Sequence, residues 1–317
     1  MTGPSPTADR LTPNVPYLRL VLAAVFWGGT FVAGRNLAGV VDPAIAAWLR
    51  FSIATGLLLG WLYLKEGALP RLTWRQTLAV VLLGMTGVAA YNLFFFEGLK
   101  TVEAGRAALI VALNPMVIAV LSAWLFGERL QRPQVVGIAL SVLGAAIVIG
   151  RGDLSALLRS GVGIGELMLL GCVSSWVFYT LIGRRLLRRL SPLVTVSYAS
   201  LSGTLILGGI VAWQGELDRV FPNDIGVWWD IGYLAVFGTV LAFVWYYQGV
   251  HAIGAARAAQ FINLVPVSGV LLGLLLLNEP LTLSVLTGGG LVVLGLLLTN
   301  RPGYARRSIS RRKGTTD

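Results

Sequence analysis

Arg50 is the ionisable side chain in the least hospitable part of this sequence. It falls about five residues or fewer from the middle of an apolar stretch running from 43 to 63, where a guanidinium costs at least roughly 2.5 to 3.5 kcal/mol. Such a group should face inward, where it could bind a ligand carboxylate, pair with Glu97 or another acid, or hydrogen-bond freed carbonyls. The competing arrangement is that its long stem carries the charge to the nearer surface. Glu97, Glu166 and His251 sit at the ends of apolar stretches, where water reaches them and where such groups more often anchor than carry protons. Glu97 is the first candidate for proton coupling, because Gln248, its match in the second half, is neutral. With one histidine, and with neither H-E-x-x-H nor G-x-S-x-G, the chain offers no catalytic pair. Nothing in it calls for a metal or cofactor. It also lacks a G-x-x-x-x-G-K-[ST] phosphate loop, so any work it does must draw on gradients.

Trp27, Thr30 and Gly34 share one helical face at i, i+3 and i+7, and so do Trp176, Tyr179 and Gly183. Both tryptophans fall near the middle of their stretches. Tryptophan gathers at membrane interfaces, so two at the centre, each with an N–H to satisfy, suggest either a partly polar interior or a core packing pair. Tyr91, Phe94, Phe95, Trp245 and Tyr246 add aromatic surface that could face lipid, core or ligand, and Tyr91 is the one favoured here for ligand. Pro115 and Pro266 interrupt two further stretches near mid-depth and should leave the carbonyls of Val111 and Ile262 without helical partners. Proline breaks at corresponding places in two halves point to a binding site, although each could simply bend its helix for packing. Asn114, Gln260 and Asn263 beside them favour a cavity. Taken together, the candidate substrate-binding residues are Trp27, Thr30, Arg50, Tyr91, Asn114, Trp176, Tyr179, Gln260 and Asn263.

Positioning these residues requires helices in a bilayer. Of the 317 residues, 56% are hydrophobic and 12% charged, about half the charge of a typical soluble domain. Ten stretches are long enough for a hydrocarbon core of about 30 Å: 17–37, 43–63, 75–97, 103–126, 133–150, 163–184, 192–213, 227–249, 255–277 and 281–300. No connection between them is long enough to bury a soluble core. The net charge of +11 could suggest nucleic acid, but the basic residues border the apolar stretches and read as topology signals. With the N-terminus inside, 18 of the 25 Lys and Arg fall on the cytoplasmic side, which supports both termini being cytoplasmic and an even number of crossings. No cleavable signal is evident, so the first helix should be retained. The single cysteine, Cys172, rules out an intrachain disulfide and reads as a small packing residue.

Sliding the chain by 149 residues aligns Trp27 with Trp176, Gly34-Arg35 with Gly183-Arg184, and Pro43 with Pro192. A shift of 151 aligns Gly87 with Gly238, Arg106 with Arg257, Pro115 with Pro266, Glu128 with Glu279, and Gly144 with Gly295. Each copy holds five stretches, an odd number, so the second copy must enter the membrane from the opposite side. The reading is an all-α membrane protein of ten transmembrane helices in two inverted five-helix repeats. Residues 17–150 and 163–300 form the repeats, and 1–16 and 301–317 are cytoplasmic tails. Inverted repeats of this kind generate alternating access to one central site. Glu128 and Glu279 read as helix terminators. Gly56 with Gly60 and Gly269 with Gly273 are small-residue pairs suited to close helix packing, or to a homodimer.

The run Trp27-Gly-Gly-Thr-Phe-Val-Ala-Gly-Arg35, together with Leu49-Arg50-Phe51, Asn114-Pro115 and Gly127-Glu128-Arg129, resembles the EamA-type transporters of the drug/metabolite transporter superfamily. The resemblance covers nearly the whole chain, with a departure at Asn278-Glu279-Pro280, where proline stands in place of Arg129. It implies ten helices, cytoplasmic termini in a bacterial inner membrane, and export of amino acids or other metabolites. The partners expected are a small-molecule substrate and lipid, and not nucleic acid.

Overall fold

The computed structural model describes residues 15–126, 130–153, 162–186, 190–215, 224–253, 258 and 261–299. Backbone amides cannot stay unpaired in hydrocarbon, so long apolar stretches resolve into helices, and every named element among the described residues is helical. In chain order these are α1 (Val15–Leu37), α2 (Pro43–Glu66), α3 (Trp74–Leu99), α4 (Ala104–Val111), α5 (Asn114–Phe126), α6 (Arg132–Ile149), α7 (Ile164–Leu186) and α8 (Pro192–Gln214). Then come α9 (residues 225–253), α10 (Leu264–Leu277) and α11 (Leu283–Thr299). Eight segments are long and apolar enough to cross a membrane, α4 and α5 together counting as one. The last two of the ten expected stretches are shorter, with 14 residues in α10 and 17 in α11.

Local chemistry sets the boundaries. The matched Pro43 and Pro192 open α2 and α8, where proline loses no hydrogen bond. Asp42 caps the first by accepting from the Ala44 amide at 2.8 Å, and Ser191 caps the second by accepting from Val194 at 3.3 Å. Pro115 lies just inside α5, across a two-residue break at Ala112 and Leu113, where Met116 N donates to Leu113 O at 3.0 Å. The matching break before α10 differs from the expectation: the Ile262 carbonyl is not left free, because Val265 N donates to it at 3.0 Å in a tighter turn. Two departures that the sequence did not announce are π-helical segments at Gly84–Ala90 in α3 and Val236–Leu241 in α9. They occupy matching positions in the two halves.

Packing also respects the halves. α2 packs against α8 and α6 against α11, while α1 lies along α9 and α10 and α7 lies along α3, α4 and α5. Exchanging the halves maps these pairs onto one another. Gly28 allows one of these approaches to be close, since a Cβ there would stand 2.8 Å from the Gly269 backbone nitrogen on α10. The expected small-residue pairs divide: Gly269 and Gly273 face Ala108 and Glu279 inside the protein, whereas Gly56 and Gly60 face open space.

Side-chain bonds tie the helix ends together. At one end Arg35 donates to Leu99 O, and Asn36 donates to Asp230 at 3.3 Å. At the same end the buried Arg106 donates to Val148 O, Ile149 O and the Glu166 carboxylate, which is 3.1 Å away. Glu279 there accepts from the amides of Ala104 and Gly105, so besides following one helix it caps the N-terminus of α4. At the other end Tyr198 donates to Pro70 O at 2.7 Å and Arg19 to Gln248 at 2.7 Å. Trp74, Trp124, Trp213 and Trp229 lie near helix ends with exposed rings, two toward each end, where amphipathic aromatics suit a lipid interface.

Candidate functional site

The two π-helical segments bracket a partly open cavity, about 450 Å³ of empty space with the part open to solvent included. A π-turn rotates the residues after it and leaves an irregular hydrogen-bond pattern that side chains complete. Thr239, within the second segment, donates to Leu234 O five residues back at 2.9 Å. Asn92, just after the first, donates through Nδ2 to Val88 O at 2.7 Å. Both side chains are thereby fixed with an oxygen toward Arg50. Arg50 donates from Nη1 to Asn92 Oδ1 at 2.9 Å, and from Nε and Nη2 to Thr239 Oγ1 at 3.3 and 3.2 Å. Its guanidinium carbon stands 5.0 Å from the Phe51 ring centroid.

Arg50 is only 8% exposed, so the guanidinium does not reach the surface. Nor does it meet Glu97 or any other carboxylate among the described residues: the ion pairs there are Lys100 with Glu97 and Arg106 with Glu166. Of the arrangements the sequence leaves open, the structure shows a buried cation held by neutral oxygens beside a cavity.

Much of the remaining lining is aromatic. Trp176 stacks on Tyr179 with centroids 5.1 Å apart and meets Tyr91 at 5.6 Å; Tyr91 in turn stacks on Phe95 at 6.0 Å. Phe243, Val88, Val196, Ala199 and Ser200 complete the lining. Gly87 seats the Tyr179 ring, since a Cβ there would lie 2.1 Å from it. Four of the expected residues, Arg50, Tyr91, Trp176 and Tyr179, thus share one cavity.

The remaining candidates lie elsewhere. Trp27 stands one ring behind the wall, edge-on to Phe243 at 5.5 Å and tilted against Tyr246 at 5.5 Å. Thr30 donates to Trp27 O at 2.6 Å within its own helix. Asn114 and Asn263 occupy the two helix breaks and, like Pro115 and Pro266, do not line this cavity; Asn114 Oδ1 is buried without a hydrogen-bond partner among the described residues. Gln260 and the Gly127-Glu128-Arg129 run lie outside the described residues. Glu97 is also absent from the lining, its carboxylate 2.9 Å from Lys100 at an exposed helix end. Because an exposed ion pair of this kind contributes little, Glu97→Gln should leave initial transport rates within about twofold of wild type, with or without a pH gradient, in a proteoliposome assay.

Asn92, Thr239 and Phe243 were not singled out from the sequence. One signal was available: at the repeat offset of 151, Asn92 aligns with Phe243 and Thr239 with Val88, a polar residue against an apolar one in each case.

Helices sized for a bilayer, surrounding a chamber lined by a buried cation and by aromatic rings, define a multi-pass membrane protein with an internal site. The chain belongs to the EamA-like transporter family, whose model matches twice, at residues 15–150 and 163–301. It is 29% identical to the uncharacterized transporter YyaM of Bacillus subtilis over 89% of this chain and 92% of that protein. An uncharacterized transporter of Archaeoglobus fulgidus is 30% identical over 90% of this chain and 98% of its own. A protein of Streptantibioticus cattleyicolor described as a probable terminal-alkyne amino-acid exporter is 27% identical over 91% and 94%. A solved crystal structure shares the fold, with a TM-score of 0.65 and 20% identity over 90% of this chain and 96% of the other. The family is one of transporters.

Proposed function

We propose that the protein is a secondary carrier exporting an amino acid or a similar carboxylate-bearing metabolite across the bacterial cytoplasmic membrane by alternating access. In this reading the chain crosses ten times with both termini inside, as two inverted five-helix repeats. The observation that carries it is the buried, carboxylate-free Arg50 beside a cavity lined by both halves, α2 and α3 of one and α7, α8 and α9 of the other. The amino-acid exporter among its relatives favours the same substrate class. The bonded helix ends favour inversion, since α1 begins at the end marked by Arg19 and Gln248 while α7 begins at the opposite end, beside Arg106 and Glu166.

The direct test is a panel of radiolabelled amino acids, organic acids, nucleosides and sugars in proteoliposomes, with and without a pH gradient. Saturable uptake that is accelerated by substrate on the far side is the expected result, and its absence across the panel would sink the carrier reading. Trp176→Ala removes the ring that stacks on Tyr179 and is tilted against Tyr91. It should reduce transport at least about tenfold while membrane expression stays near wild type. Topology is checked separately in a Cys172→Ala background: Arg71→Cys and Arg188→Cys should both react with an impermeant reagent from the cytoplasmic side only.

A further inference from the structure

We infer that the cavity selects ligands of net charge −1, a single carboxylate on an aromatic or branched apolar body, over zwitterions of the same shape. This rests on the carrier reading above and, within it, favours the carboxylate-bearing metabolite over the amino acid. The first argument is charge. Arg50 is held by Asn92 and Thr239, which are neutral, and those bonds engage Nε and one N–H on each terminal nitrogen, leaving the remaining N–H groups of the fork for a ligand. Among the described residues no Asp or Glu lines the cavity. Asp230 is bonded by Asn36, and Glu97, Glu166 and Glu279 are held at helix ends. A monoanion closed into this cavity therefore gives a neutral complex, while a zwitterion leaves one uncompensated positive charge in a low-dielectric interior. An α-ammonium would also sit within a few ångströms of the guanidinium it accompanies, where like charges repel.

The second argument is the broken symmetry of the lining. At the repeat offsets Arg50 corresponds to Ala199, Asn92 to Phe243 and Thr239 to Val88, and all six of these residues line the same cavity. Each polar member of the bonded set, Arg50, Asn92 and Thr239, thus has an apolar counterpart supplied by the other half. A chamber built by two related halves would ordinarily be lined alike by both; this one has a single cationic, hydrogen-bonding cluster amid an apolar and aromatic lining that includes Trp176 and Tyr179. Its complement is a molecule with a carboxylate at one end and a ring or branched chain at the other.

Phenylpyruvate, L-phenylalanine and phenethylamine share one ring and carry net charges of −1, 0 and +1, so they separate head-group charge from body shape. Binding to the purified full-length protein is read by thermal shift, and counterflow is read in proteoliposomes. Phenylpyruvate should bind at least about tenfold more tightly than phenylalanine, and phenethylamine should not bind. Arg50→Gln should bring the acid and the amino acid within about twofold of each other. Ala199→Asp, which adds a carboxylate to the cavity lining, should move the preference toward phenylalanine. If phenylalanine binds as tightly as phenylpyruvate, or is exchanged when phenylpyruvate is not, the charge assignment is overturned and the carrier reading stands. If phenylpyruvate binds with the expected preference but is not exchanged, the assignment holds and the carrier reading fails. Binding of none of the three overturns the assignment outright.

Discussion

Arg50→Met is expected to reduce transport by roughly 30-fold or more with the melting temperature of the purified protein almost unchanged. The two effects differ because they have different physical origins. Transport loses a charge-assisted, fork-shaped contact to the ligand carboxylate, and removing one partner of a buried charge pair costs about 2 to 5 kcal/mol, of which about 1.4 kcal/mol is a factor of ten. Folding loses the bonds to Asn92 and Thr239, but it also sheds the cost of burying a guanidinium that no carboxylate compensates. Replacing buried charge by an apolar side chain of similar length is often neutral or stabilising for this reason. Methionine suits the comparison because it fills the stem volume and packs flexibly against Phe51. The measurements are initial counterflow rates and a thermal melt on the same preparation. A large drop in melting temperature alongside the lost transport would mean that Arg50 holds the helices together and is not there for the ligand.

How much of this was legible beforehand depends on which physical signal each residue leaves. Helix positions were legible because apolar runs in a bilayer have few alternatives: the expected 43–63 and 192–213 open at Pro43 and Pro192, as observed. Arg50 was legible because a charge in mid-stretch is costly, and Trp176 with Tyr179 because the same face recurs in the first half as Trp27 and Thr30. What the sequence could not state is which copy of that face meets the cavity. Trp176 and Tyr179 do, while Trp27 stands behind Phe243 and Thr30 bonds its own backbone, a difference made by packing of whole helices and not by any local pattern. The prolines misdirected for a related reason. Pro115 and Pro266 do mark the ends of regular backbone, but a break signals only that some partner must be found, and Val265 supplies one for Ile262 without a ligand. The π-helical segments left almost no trace, because glycines such as Gly84 and Gly238 permit many conformations and tertiary contacts choose among them. Asn92 and Thr239 were missed because neutral polar residues are common in membrane helices and carry no sign of their own.

Gly144→Leu is expected to destabilise the protein more than any change in the cavity, and to do so without touching the site. Gly144 on α6 lies against α11, where a Cβ would stand 2.4 Å from Gly288 O and 2.8 Å from Val292 N. The reverse contact is as close, with a Cβ on Gly288 2.6 Å from Gly144 O, and the same arrangement recurs along the pair, where a Cβ on Gly137 would be 2.6 Å from Gly295 O. These are backbone atoms of a neighbouring helix, so no side chain can swing aside, and the two helices must separate along their contact. In a bilayer no hydrophobic force drives helices together; close packing of small residues and the contacts it permits do that work. Overpacking of a tight interior costs about 1 to 3 kcal/mol even where side chains can adjust, and here the adjustment has to come from backbone, which argues for the upper end or beyond. The control lies on the partner helix α11: Gly290 has nothing within 4 Å of a Cβ, so Gly290→Leu adds the same side chain toward open space. Fluorescence-detected size exclusion after a heating series should show Gly144→Leu losing its monodisperse peak many degrees below wild type, and Gly290→Leu tracking wild type. Equal tolerance of both changes would show that α6 and α11 are not held at backbone contact. That would remove the rigid pairing that lets the other helices reorganise around the cavity.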